Sequence, residues 1–427
     1  MKKTVISIVC LVFAFVSYGQ KVWTLEECIK YAQDNNLSVK LSRLNDTLTK
    51  DNILTAKAGY YPSVAFSSGQ NFTYTNDIGE GVYNGSYGLN ANVNIYDGGK
   101  TYNNIKQKSL ASEIAELEVK HAEDNIMLSV LQTYIQILYA KEAVTTAKNN
   151  TELSGKTLER AYAMYEAGSI SSVDVAVLES ENASYNYRLI EAENTYQKQK
   201  LELKQLMELT ENAEIQEITI GDDDVLVTLN DVNTIYNKAL TFVPDILAAQ
   251  KDKQSAQLGV STAKGGYLPE VSLGAGVSAG HNSKSDLEVM KQLKSSVGEN
   301  IGLNISVPIY DRRQTKNAVI QAKNQVLVAE NSIAQQEKQL YKTIDELHLD
   351  CISYQQSYKS AKANLIASEK SYDLVEKQFD LGMKNIIELL NQRTALSSAQ
   401  QATLQAKYQA LMKLKLLDYY QGKEIKL

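Results

Sequence analysis

Histidine is scarce in this 427-residue chain: His121, His281 and His348 are the only three, and no two stand at metal-ligand spacing. Cysteine is equally scarce. Cys10 lies in the apolar N-terminal stretch, and Cys28 and Cys351 fall in different helical segments with no paired spacing, so a disulfide framework finds no support. No glycine-rich phosphate loop, nucleophile elbow or convergent triad is present, which speaks against an enzyme and implies no cofactor. The chain is not basic either: its formal charge of −6 argues against nucleic acid as a partner. After the N-terminus no segment is apolar enough to span a membrane as a helix, but a secreted chain still crosses one if its strands close into a barrel. Prolines number four, and none falls between Gln314 and Gly382.

What that proline-free stretch contains is a period of seven. Apolar and small residues recur at Val319, Val326, Ile333, Leu340, Leu347, Tyr354, Ala361, Ser368, Val375 and Gly382. A second row runs beside it through Ala322, Ala329, Ile344, Cys351, Tyr358, Leu365, Tyr372 and Phe379. An ideal helix repeats every 3.6 residues, so a sustained period of seven means supercoiling against neighbours. At 1.5 Å per residue, roughly 68 helical residues reach about 100 Å. Roughly 214 residues upstream the first row reappears as Ile105, Ser112, Val119, Ile126, Thr133, Ala140, Ala147, Ser154, Ala161 and Gly168. The flanks repeat too. Ile95-Tyr96-Asp97 answers Ile309-Tyr310-Asp311, and Gly59-Tyr60-Tyr61-Pro62 answers Gly266-Tyr267-Leu268-Pro269. The chain is therefore expected to be a duplication, with repeats over residues 20–220 and 221–427.

Residues 1–19 read as a secretory signal: Lys2 and Lys3 form the basic start, Val5 to Val16 the apolar core, and Ser17-Tyr18-Gly19 the small residues before cleavage. Trp23 to Ala58 reads as helical, with Thr24 and Glu27 in a capping-box pattern and a break at Asn35-Asn36. Each repeat then changes period from seven to two. Tyr83, Gly85, Tyr87, Leu89, Ala91, Val93 and Ile95 alternate with Asn84, Ser86, Gly88, Asn90, Asn92 and Asn94. The expected strands are residues 63–76 and 83–96, joined by a turn at Asn76-Asp77-Ile78-Gly79, and 270–280 and 297–308, joined by a polar loop. Long helices follow over 100–167 and 314–381, and return helices over 173–210 and 386–420. Strands of this length cross an outer membrane when tilted, and glycine and asparagine on their second face suit a water-filled lumen. Four strands cannot close alone; three copies of four would supply twelve. Glu211 to Leu229, with Asp222-Asp223-Asp224, lacks the ligand spacing of a calcium loop and reads as a solvated linker.

These features together resemble the TolC-like outer-membrane efflux proteins, over nearly the whole mature length. The matching stretches are Thr24-Leu25-Glu26-Glu27, Gly59-Tyr60-Tyr61-Pro62, Ile95-Tyr96-Asp97-Gly98-Gly99 and both glycine hairpins, the second continuing as Asn385-Ile386-Ile387-Glu388-Leu389-Leu390. The resemblance implies an α+β membrane protein, a homotrimer whose long α-helical barrel is continuous with a 12-stranded transmembrane β-barrel. It implies residence in outer-membrane lipid of a Gram-negative bacterium, with the helices reaching into the periplasm. It also implies two partners, a periplasmic adaptor (membrane fusion) protein and an inner-membrane transporter, in a tripartite efflux or type I secretion system.

On that resemblance the hairpins form the periplasmic mouth. Gly168, Ser169, Ile170 and Ser171 in the first, and Gly382, Met383, Lys384 and Asn385 in the second, are then expected to meet the adaptor. Family tunnels close by polar links and carboxylate rings. The link position falls on Lys384, the first ring position on Glu388 and the second on the uncharged Asn391, while Asp174 matches an acidic position in the first hairpin. A ring of carboxylates would favour cations. The rival reading is a coiled-coil surface fibre or scaffold without a conduit; the alternating strands discriminate, because a fibre has no use for one polar and one apolar face.

Overall fold

The two periodicities resolve into two kinds of element. The computed structural model describes residues 22–75, 80–210, 214–216, 218 and 220–427, so the signal over 1–19 and the turn at Asn76–Gly79 lie outside the described residues. β1 (Val22–Trp23), α1 (Leu25–Asn35) and α2 (Leu37–Ala58) lead to the strands β2 (Ser63–Thr75) and β3 (Glu80–Tyr96). The 67-residue helix α3 (Lys100–Glu166) and the 35-residue α4 (Ser172–Leu206) follow. After β4 (Glu214–Ile215), α5 (Val232–Ala239) and α6 (Pro244–Lys264), the order recurs. β5 (Glu270–Asn282) and β6 (Gly298–Ser306), with the short α7 (Val289–Ser295) between them, precede α8 (Gln314–Asp380) and α9 (Ile386–Tyr420). These last helices again have 67 and 35 residues.

The contacts divide into two units. One comprises the chain up to Leu41, Lys120–Val243 and Lys338–Leu427. Its core is laid down by the sevenfold rows: Ile126, Thr133, Ala140, Ser154 and Ala161 of α3 are buried, as are Ile344, Cys351, Tyr358, Tyr372 and Phe379 of α8. Cys28 and Cys351 are both buried and neither is in a disulfide, and burial pushes the Cys351 thiol up to about 12. The acidic stretch is not a solvated linker. Ile220 and Val225 are buried in the main apolar cluster, and the Asp222 carboxylate accepts from the Tyr358 hydroxyl at 2.6 Å and pairs with Lys362. The apolar residues interleaved with the acids hold the segment down, and the acids take the outward positions.

The other unit comprises Ser42–Val119 and Pro244–Glu337 and carries one antiparallel sheet in the order β2-β3-β5-β6. Directly paired residues share a face, so the register defines two surfaces. On one lie Val64, Phe66, Leu89, Ala91, Val93, Leu273, Ala275, Val277, Ile301 and Leu303, with Ser68, Gln70, His281 and, on the edge strand, Glu299 as polar exceptions. The opposite face carries Ser, Gly, Asn and Thr with Ala65 and Val82, and no charged residue among those paired between Ser63 and Thr73, Val82 and Asn94, Ser272 and Gly280, or Gly298 and Ser306. There the side-chain oxygens of Asn90 and Asn300 stand over Gly276. Aromatic residues flank the apolar band. Phe72, Tyr74, Tyr83 and Tyr87 lie toward the β2–β3 turn, where His281 stacks beside Tyr87 and Gln70 accepts from the Tyr83 hydroxyl at 2.5 Å. Exposed Tyr60, Tyr61, Tyr96, Tyr267 and Tyr310 lie toward the helices. From Tyr83 to Tyr96 the strand rises about 43 Å, or about 30 Å along the normal at the tilt such strands take.

The strand-to-helix junctions turn through left-handed backbone. Gly98 and Gly99 have φ of 73° and 79°, and a Cβ on Gly98 would lie 2.4 Å from the Gly265 carbonyl oxygen. At the second junction the corresponding residues are Arg312 and Arg313, with φ of 56° and 66°. Left-handed backbone costs a residue with a Cβ about 1–2 kcal/mol.

Candidate functional site

Each long helix ends where a glycine permits it. At the first hairpin the Ser169 amide donates to Met164 O at 2.8 Å and the Gly168 amide to Tyr165 O at 2.9 Å, with Gly168 at φ 73°. At the second, Met383 donates to Gln378 O at 2.8 Å and Gly382 to Phe379 O at 2.9 Å, with Gly382 at φ 71°. Both are Schellman ends, in which a left-handed glycine lets the last carbonyls find donors. The return helices then start with capping boxes. Ser171 Oγ accepts from the Asp174 amide at 3.2 Å while Asp174 Oδ2 accepts from the Ser171 amide at 3.0 Å. Asn385 Oδ1 accepts from the Glu388 amide at 2.9 Å while Glu388 Oε2 accepts from the Asn385 amide at 3.2 Å.

The structure thus gives both carboxylates a local task. Glu388 is engaged through both oxygens, because Lys384 Nζ donates to Oε1 at 2.6 Å. The Lys384 hydrogen bond and the Asn385 amide hold the Glu388 carboxyl below its usual range. Lys384, Asn385 and Glu388 are therefore one constellation, and Ser171 and Asp174 another. Among the described residues no hydrogen bond or ion pair joins Asp174 to Lys384, Glu388 or Asn391. Asn391 is exposed. Ser169, Gly168, Gly382 and Met383 are exposed at the turns, but Ile170 is half-buried against the cluster of Ala161, Leu178, Tyr372, Phe379, Ile386 and Leu389. Its side chain anchors the turn instead of presenting itself outward. Leu381 and Ile387, exposed beside Met383, extend the apolar tip further than the turn residues alone suggest.

Above the turns lies a polar knot. Arg393 on α9, 3% exposed, donates to Glu181 of α4 at 2.9 Å, to Thr157 of α3 at 2.7 Å and to the Tyr372 hydroxyl of α8 at 3.1 Å. Burial pushes the Glu181 carboxyl up against the pull of the guanidinium, and burial likewise raises Tyr372. Nearer the turns, Arg160 of α3 grips Asp380 at 3.2 and 2.9 Å and Glu376 at 2.9 Å, both on α8. One arginine ties all four helices and the other ties the two long ones. A sequence signal for the first existed: Arg393 sits in the row Ile386, Leu389, Leu396, where a charged residue interrupts an otherwise apolar face. Nothing in this constellation activates a nucleophile or converges on a substrate atom; it fixes where the helices end and how they are tied.

Comparison with known proteins follows the same lines. The family model described as "Outer membrane efflux protein" matches twice, over residues 28–208 and 235–422. The chain is 20% identical to Outer membrane protein TolC of Salmonella enteritidis, an alignment covering 99% of this chain and 86% of that one. It is 23% identical to Cobalt-zinc-cadmium resistance protein CzcC of Cupriavidus metallidurans, over 88% of this chain and 84% of the other. The solved structure of CusC superimposes with a TM-score of 0.80 at 16% identity, covering 96% of both chains.

Proposed function

Since the chain belongs to the outer membrane efflux protein family, we propose that three copies close their sheets into one twelve-stranded barrel and conduct cargo from a periplasmic partner to the exterior. The protein is a non-enzymatic channel of the Gram-negative outer membrane. The observation that carries the trimer is what a single chain leaves uncovered. Leu37, Leu41, Leu44, Leu48 and Leu54 of α2 form a stripe at helical spacing and are 60–65% exposed. β2 and β6 each have one unpaired edge. A stripe of five leucines left in water and two open edges call for neighbours. A second and third copy satisfy all of them at once, pairing β6 of one protomer with β2 of the next.

In this reading the hairpin tips meet an adaptor protein, through Ser169 and Met383 with the adjoining Leu381 and Ile387, and an inner-membrane transporter supplies the energy. The Lys384–Glu388 pair stands at the mouth. The mass of the detergent-extracted protein, from light scattering corrected for bound detergent, tests the assembly. Three protomers are expected; a stable monomer or dimer would leave the sheet open and overturn the conduit.

A further inference from the structure

The junction between β6 and α8 repeats the helix cap of the one between β3 and α3, although β3 runs to Tyr96 while β6 stops at Ser306. Asp97 accepts from the Thr101 amide at 2.7 Å, and Asp311 accepts from the Thr315 amide at 2.7 Å, so the helix starts are capped alike. The turn in both repeats asks for left-handed backbone, and the first supplies it with Gly98-Gly99. The second holds Arg312-Arg313 in the same conformation, against the preference of any residue with a Cβ. A backbone outlier kept where glycine would serve directs attention to the side chains. In the single chain, at the end of the edge strand β6 that the next protomer is proposed to pair, both arginines are exposed, and among the described residues no hydrogen bond or ion pair holds either guanidinium.

Their surroundings specify the partner. Ile309 is 97% and Tyr310 80% exposed immediately before them, at the end of the sheet nearest the helices. The apolar face of the sheet stops there, and the tyrosines at positions 60, 61, 96 and 267 are exposed at the same level. Aromatic rings settle at the headgroup level of a membrane, and arginines set beside them reach phosphates while their stems stay in apolar surroundings. We propose that Arg312 and Arg313 bind the phosphates of anionic phospholipids in the periplasmic leaflet, with Ile309 and Tyr310 seated at the boundary between headgroups and acyl chains. The inference rests on the strand face being membrane-facing, and adds to it a lipid site present at the second junction of each chain and not at the first.

The test uses the full chain in micelles containing equimolar phosphatidylglycerol and phosphatidylcholine, with retained lipid counted by native mass spectrometry. The unsubstituted protein is expected to retain phosphatidylglycerol preferentially. Arg312→Gly with Arg313→Gly, which restores what the turn favours, should keep the fold and lower that preference by roughly fivefold per arginine. Arg312→Lys with Arg313→Lys should keep most of it. Equal preference in the unsubstituted and glycine proteins overturns the site. So does a glycine variant that retains the preference but loses protomers, since the pair would then belong between subunits. Flotation with pure phosphatidylcholine vesicles separates the two levels: failure to float sinks the membrane-facing reading itself, whereas floating without any phosphatidylglycerol preference sinks only the phosphate site.

Discussion

Arg393 joins all four helices at the hairpin end. Its guanidinium is buried with Glu181, and removing one member of such a pair leaves the other charge uncompensated. Arg393→Ala is expected to destabilise the protein by about 3–5 kcal/mol, read as a lowered midpoint of thermal unfolding in detergent. Combining Arg393→Met with Glu181→Leu should return much of the loss, because the desolvation of both charges is removed together. Glu388 makes a prediction of a different kind. Its pKa is lowered in the folded hairpin, so the folded state binds fewer protons and the bonds to Lys384 and Asn385 are complete above the ordinary carboxylate range. They are lost as pH falls through the depressed value. Hydrogen exchange of the peptide over residues 382–390, corrected for chemical exchange rate, should show unchanged protection from neutral pH down to the ordinary glutamate range and a drop only below it.

At the scale of elements, the sheet predicts opposite outcomes for neighbouring residues. Leu89 lies mid-strand on the apolar face and Asn90 on the other. Leu89→Lys should cost about 2–4 kcal/mol at the membrane midplane and impair insertion into vesicles, seen as loss of the heat-modifiable band in a folding gel. Asn90→Lys should insert normally. These elements were legible because each announces its own period: two for β3 and β5, seven for α3 and α8, with glycine at the hairpin turns. The tie between them was not. Arg393 reaches partners 21, 212 and 236 positions away, and no local pattern records such distances. The capping boxes were legible as Ser171-x-x-Asp174 and Asn385-x-x-Glu388, but a carboxylate assigned to a mouth was not also read as the first-turn partner of its own helix. Asp222-Asp223-Asp224 misled in the opposite sense: three acids in a row outweighed Ile220 and Val225 on either side, and those two decide where the segment lies.

For the whole molecule, the proposed place of the Lys384–Glu388 pair at the mouth predicts that folding and conduction separate. Both side chains are more than a third exposed, and exposed pairs contribute little to stability. Lys384→Ala and Glu388→Ala should therefore leave the assembly mass unchanged while raising single-channel conductance in planar bilayers; unchanged conductance in both would remove the pair from the mouth. The uncharged face of Ser, Gly, Asn and Thr, traced above through all four strands, carries a consequence for what can pass. Multiplied around the proposed closed ring, it leaves the middle of the membrane stretch without the fixed charges by which a pore normally sorts anions from cations, with Glu270, paired to Lys100, on the same face only at the helix end. Over that span cargo of either sign meets the same hydroxyls and amides, so discrimination by charge falls to the two ends of the passage.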